Sequence, residues 1–360
     1  MTRLLGWIVA ALTVAGAAWA QDPPAVAAAA AGDREALRAR IAAAKSEGSV
    51  VYWDAVVQPE TNEALTAAFR KAHGLPTSFA VRYNLSATQA LVTRVDQETA
   101  SGNVTIDVAS LASPPWVNGL VAGGHIARYD SPHYAAFAKA FEAGMGQPGY
   151  YAFNGAYMFI PGWNPDNFEF KGKSWRDVLG AVPAGRMSIN DSANSATGLL
   201  TFIGLRAALG VDFFKDVAKM KPNFIVRSEQ VVERLLSGQD LLAFGTTTGR
   251  VMQYNDKGAR VKFLLPQEGI VLLGAGSFVL AKAPHPNAAR LWLDFTLSEE
   301  GQTILTRKEA LISGRSGFKS PLPEYAPSID TLKLIKVDWL SMSQDDIRKA
   351  KAEWQGIFTP

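Results

Sequence analysis

The 360-residue chain sets 36 lysines and arginines against 33 acidic residues, a formal charge of +3, and contains no cysteine. That near balance, with the charges scattered, excludes the basic stripe of a nucleic-acid binder; the missing thiols exclude disulfides, thiolate metal sites and lipid attachment through an N-terminal cysteine. A hydrophobic share of 48% with 19% charged residues marks a globular chain, and the length suits two cores better than one.

Residues 1–20 have the layout of a cleaved export signal. Arg3 supplies the positive start, Leu4 to Ala18 form an apolar run, and Ala18-Trp19-Ala20 is a small-x-small site. The run is about 15 residues, short of the roughly 20 that a spanning helix needs. The expectation is a soluble periplasmic product with no segment inserted in a membrane. Residues 21–32, rich in Pro and Ala, read as a flexible leader.

Asp33 suits a helix cap, and Leu37, Ile41 and Ala44 share one face of a helix ending near Gly48. Ser49 to Trp53 reads as a buried strand, Thr61 to His73 as a helix, and Phe79 to Tyr83 as a second strand. Ser86 then caps a helix carrying Leu91 and Val95, and Val104 to Leu111 is the third strand. Strands alternating with helices at this spacing imply parallel β-α-β units, hence an α/β fold. Open sheets of this kind meet ligands at the loops after their strands. Those loops offer Trp53 and Asp54, Tyr83, Ser86 and Thr88, and Ser113 with Trp116. The aromatic rings could stack on a ligand or serve ordinary packing. Asp54 could accept from a ligand or sit in a solvated turn, and Ser86 could be a cap and nothing more.

A second series of units follows. Tyr150 to Ile160 reads as a strand leading into a turn cluster, Pro161 to Pro165. Arg186 to Asn190 is a strand, and a polar loop then opens a helix from Ala196 to Leu209. Ser228 to Leu236 is helical, Leu241 to Phe244 a strand, Arg250 to Lys257 a short helix and Val261 to Leu265 a strand. Ser277 to Ala281 is a further strand before Pro286-Asn287 opens a helix through Phe295.

Several stretches in this order resemble the solute-binding proteins of bacterial ABC importers, in the branch of ferric-ion, thiamine, phosphonate and sugar-phosphate receptors. They are Lys45 to Tyr52, Gly102 to Val108, Leu264 to Gly269, and Lys282 to Ala289 continuing through Leu297 to Gln302. The resemblance implies a two-lobe periplasmic binding protein of type II with crossing hinge strands. The first lobe would hold residues 33–152 and 273–322 and the second 153–272, with a helical tail at 323–360 on either. It also implies a monomeric receptor without cofactor, whose partners are a small-molecule ligand and ABC permease membrane subunits. Alternatively, the same closed form would be presented to a membrane sensor kinase instead of a permease.

The segment Ser188 to Gly198 follows a strand and opens a helix, which places Asn194, Ser195 and Thr197 at a helix N-terminus suited to an anion. Asn194 or Ser195 could equally cap that helix. Thr246, Thr247 and Arg250 after the next buried strand suit a carboxylate, phosphonate or phosphate. Ferric-binding relatives carry adjacent tyrosines about here, where this sequence has Thr248, Gly249 and Arg250, so the resemblance favours an anion over iron.

Enzyme signatures fail. Gly144 to Gly149 spells GxGxxG but precedes a strand and contains Pro148. Gly172-Lys173-Ser174 lacks the earlier glycine of a P-loop, and Gly314 to Gly317 is one residue short of a nucleophile elbow. His73, His125, His133 and His285 have no metal-ligand spacing.

Overall fold

Among the described residues eleven strands fall into two sheets, and the chain passes between those sheets twice. The computed structural model describes residues 21–358, so the expected export signal lies outside the described residues. In chain order the strands are β1 (Ser49–Asp54), β2 (Ala80–Leu85), β3 (Val108–Leu111), β4 (Gly146–Gln147), β5 (Tyr151–Met158) and β6 (Ile160–Trp163). They continue as β7 (Met187–Asn190), β8 (Asn223–Ile225), β9 (Leu242–Thr246), β10 (Lys262–Phe263) and β11 (Leu272–Val279). The first sheet has the order β2-β1-β3-β11-β5-β4 and the second β10-β6-β9-β7-β8.

β1 pairs in parallel with β2 and β3, because the helices Pro59–His73 and Thr88–Ser101 carry the chain back between strands. β11 closes the first sheet antiparallel to both β3 and β5. The outward crossing is abrupt: β5 ends at Met158 in the first sheet and β6 starts at Ile160 in the second. The return runs from β10 into β11, so two strands join the lobes side by side.

The first sheet is covered by the late helix Pro286–Leu297, where Trp292 lies 5.3 Å from the Tyr52 ring and 5.1 Å from Phe69. Burying such rings is the largest favourable contribution a residue can make to a core. The C-terminal helix Gln344–Phe358 packs on the second lobe's helices, with Trp354 5.1 Å from Phe202.

Four expectations need correction. The leader is not free chain: Pro24–Ala28 is a helical turn, Val26 is fully buried, and Arg34 donates to the carbonyls of Ala29 and Ala27. The expected turn at Pro161 is part of β6, and the proline is accommodated because the pairing with β9 shifts between Ile160 and Gly162. The third strand starts late, since Thr105 and Ile106 donate their N–H groups to the buried Glu98 carboxylate at 2.8 and 3.1 Å instead of to a strand. Ser86 does not cap its helix; Ala87 holds the cap position and no side chain bonds there. The helix Val211–Lys219 and strand β8 escaped sequence reading, although Phe213, Phe214 and Val217 mark one buried helical face.

Candidate functional site

Helix starts from both lobes open onto one cavity of about 240 Å³. From the first lobe come Thr88, at the head of Thr88–Ser101, and Glu309, at the end of Glu299–Glu309. From the second come Thr197, Ser228, Thr247 and Arg250. The helices starting at Thr88, Ser228 and Thr248 have no side-chain cap, so their first N–H groups lack that partner. The fourth, Ala196–Leu209, is capped by Ser195, which accepts from the Gly198 N–H at 3.1 Å. Each helix start carries roughly half a positive charge. Four of them around one cavity make a field suited to an anion.

Arg250 reaches the cavity in a held posture. Its Nη2 lies 2.7 Å from Glu229 Oε1 and its Nη1 donates to Gln253 Oε1 at 2.6 Å. Glu309 stands on the other lobe, its Oε1 accepting from the Gln58 N–H at 2.8 Å and from the Thr61 hydroxyl at 2.5 Å. Burial raises the Glu309 carboxyl above the usual range, opposed by those bonds and by Arg250. Tyr157 and Phe159, at the outward crossing, form the floor.

Of the residues the sequence singled out, Thr88, Thr197, Thr247 and Arg250 are brought together. Ser195 and Asn194 shape the loop instead: Ser195 caps the helix, and Asn194 is exposed and donates to Asp191. Thr246 is fully buried in β9. Asp54 is fully buried too, accepting from the Tyr52 hydroxyl and the N–H groups of Val56 and Val57, and desolvation raises its pKa. Those bonds make it a clamp on the loop after β1. Tyr83 donates its hydroxyl to the Val57 carbonyl and braces the same loop. Trp53 packs in the first lobe under Arg94, whose guanidinium carbon is 5.9 Å from the ring. Trp116 packs near Phe278 and donates to Asp96 at 2.9 Å. Ser86 donates its backbone N–H to the Asp54 carbonyl, and Ser113 heads Pro114–Ala122; neither lines the cavity.

Ser228, Gln253 and Glu309 were missed. A serine opening an apolar-periodic helix after a strand was the available signal for Ser228. Glu309 arrives from a helix distant in sequence, and no local pattern announces it.

The sequence model of the bacterial extracellular solute-binding proteins matches residues 64–327, most of the chain, and the chain belongs to that family. An uncharacterized protein of Haemophilus influenzae is 25% identical over 312 residues, covering 81% of this chain and 85% of its own. Two solved structures share the two-lobe fold. Iron-bound HitA from Pseudomonas aeruginosa has a TM-score of 0.70 at 18% identity, over 86% of this chain and 99% of its own. AfuA from Actinobacillus pleuropneumoniae, a periplasmic binding protein with fructose-6-phosphate bound, has a TM-score of 0.71 at 16% identity, over 86% and 98%.

Proposed function

We propose that this solute-binding protein is a periplasmic receptor that captures a small anion between its lobes and passes it to the permease of an ABC importer. The observation that carries the reading is the convergence of four helix starts and Arg250 on one cavity walled by both lobes. Contacts from both sides are what closure requires, since a ligand shifts the open–closed balance only through interactions that the closed form makes better. The cavity holds roughly eight water volumes of about 30 Å³ each, the scale of a small organic acid or phosphorus acid. Lobes of residues 33–152 with 273–322 and of 153–272 fit the two crossings, and the packing of Trp354 on Phe202 favours placing the tail with the second. Capture and release involve no covalent step.

Iron, bound by HitA, is the competing cargo. Among the described residues no three His, Cys, Asp or Glu side chains group to hold a metal ion. Tyr157 is the single phenol among the residues that line the cavity. The fructose-6-phosphate held by AfuA shows that this fold can carry an anionic cargo.

Thr197→Asp tests the site. A carboxylate in the first turn is welcome to the helix but opposes an anion in the cavity. Calorimetric titration should find anion binding lost with the melting temperature kept; unchanged binding would remove this cavity from the function.

A further inference from the structure

Arg250 and Glu309 line the same cavity yet form no ion pair; Arg250 is instead tied to Glu229. Two opposite charges that line one cavity without pairing each keep capacity for a group on a ligand. At the Glu309 end the carboxylate is only half used. Its Oε1 takes both hydrogen bonds, from Gln58 and Thr61, which fixes the side chain in place. Among the described residues Oε2 takes none, although Glu309 is 9% exposed, and Oε2 is not among the sealed, partnerless atoms. Glu309 is one of the residues that line the cavity. A buried carboxylate with a free oxygen is costly unless something donates to it.

The side chains do not supply a net positive site: Arg250 is offset by Glu229, and Glu309 adds a further acid. The surplus positive potential comes from the helix starts, which suits a singly charged head more than a dianion. We propose that Glu309 reads a protonated amine on the ligand, so that the cargo is a small zwitterion, with its anionic head at the helix starts and its ammonium at Oε2. This rests on the anion reading above and narrows its chemical class.

The test compares matched probes by calorimetry: β-alanine with propionate, and taurine with ethanesulfonate. In the wild-type chain at least one amine-bearing member should bind about tenfold or more tighter than its partner without the amine, the worth of a charged hydrogen bond. Glu309→Gln keeps an acceptor for Gln58 and Thr61, and it should erase most of that preference. Equal or tighter binding of the partners without the amine overturns the role of Glu309 while leaving the anion site standing. Absence of binding by every probe overturns both. The wild-type comparison decides even where the variant fails to fold.

Discussion

A β-carbon placed on Gly249 would stand 2.5 Å from the carbonyl oxygen of Glu309. The two belong to different lobes, Gly249 in the first turn of Thr248–Asn255 and Glu309 at the end of Glu299–Glu309. The missing side chain lets the helix that carries Arg250 seat against the first lobe. Gly249→Ala therefore forces the lobes apart by about an ångström, since a carbon cannot rest so near an oxygen. The helix itself tolerates alanine well. Affinity for the ligand should fall about tenfold with melting temperature nearly unchanged, as a shift in the closed form demands. Calorimetry on the variant checks it, and an unaltered affinity would show that this contact does not govern closure.

Arg250→Ala removes a charged donor from the cavity and frees Glu229 from its 2.7 Å partner. Anion binding should weaken more than tenfold, by about 1.5–3 kcal/mol. Because the pair is partly exposed, folding stability should change by less than about 1 kcal/mol. Titration of the variant reads the first effect and urea unfolding the second. Retained affinity would take Arg250 out of the site.

Two buried groups of the first lobe give opposite pH signatures. Burial lowers His73 from 6.5 to about 4, its Nδ1 facing the Phe69 carbonyl. Burial raises Asp294 from 3.8 to about 6, against hydrogen bonds from Tyr129 and Ser131. A histidine whose native pKa is depressed resists protonation, so its contribution is present above 6.5 and lost as pH falls toward 4. An acid whose native pKa is raised contributes in its protonated form, and that contribution is lost as pH rises from 3.8 through 6. Relative to His73→Gln, the wild type should lose about 3 kcal/mol on acidification from pH 7 to 4. Relative to Asp294→Asn, it should lose about 3 kcal/mol on going from pH 3.5 to 7. Urea unfolding across that range reads both, and slopes of the same sign would contradict the assignments.

The helical turn Pro24–Ala28 fastens the start of the described chain to the first lobe through Val26. Removing residues 21–32 exposes that core contact and should cost about 2–3 kcal/mol. The cavity walls contain none of these residues. Melting temperature should drop while the affinity for ligand holds, and an unchanged melt would show that the segment contributes nothing.

Much of this arrangement is legible in the sequence because parallel β-α-β units put helix starts and polar loops at the same sheet edge. Thr88, Thr197 and Thr247 each follow a strand by a few residues, and each reaches the cavity. The aromatic and acidic residues at the same edge behave differently. Tyr83 and Asp54 are polar groups consumed by the loop after β1, because an irregular turn must find partners for its own N–H and carbonyl groups. Trp53 and Trp116 pack partly buried rings against the first lobe's core, where apolar area counts. Strand position alone cannot tell a side chain spent on its own loop from one left for a ligand. Glu309 escaped for the opposite reason, since tertiary packing brings it to the cavity from a helix at the far end of the chain. The leader was misread because a Pro- and Ala-rich segment gives no periodic signal, although a single buried Val26 suffices to dock it.

The central claim, an anion held between the lobes, is tested most directly by thermal-shift titration of residues 21–360. The panel would hold organic acids, aminoalkyl phosphonates, sugar phosphates, thiamine and ferric citrate. A ligand that binds only the folded form raises the melting temperature by mass action. The account predicts a saturable rise with one anionic class, abolished in Thr197→Asp. A rise with ferric ion alone would contradict it.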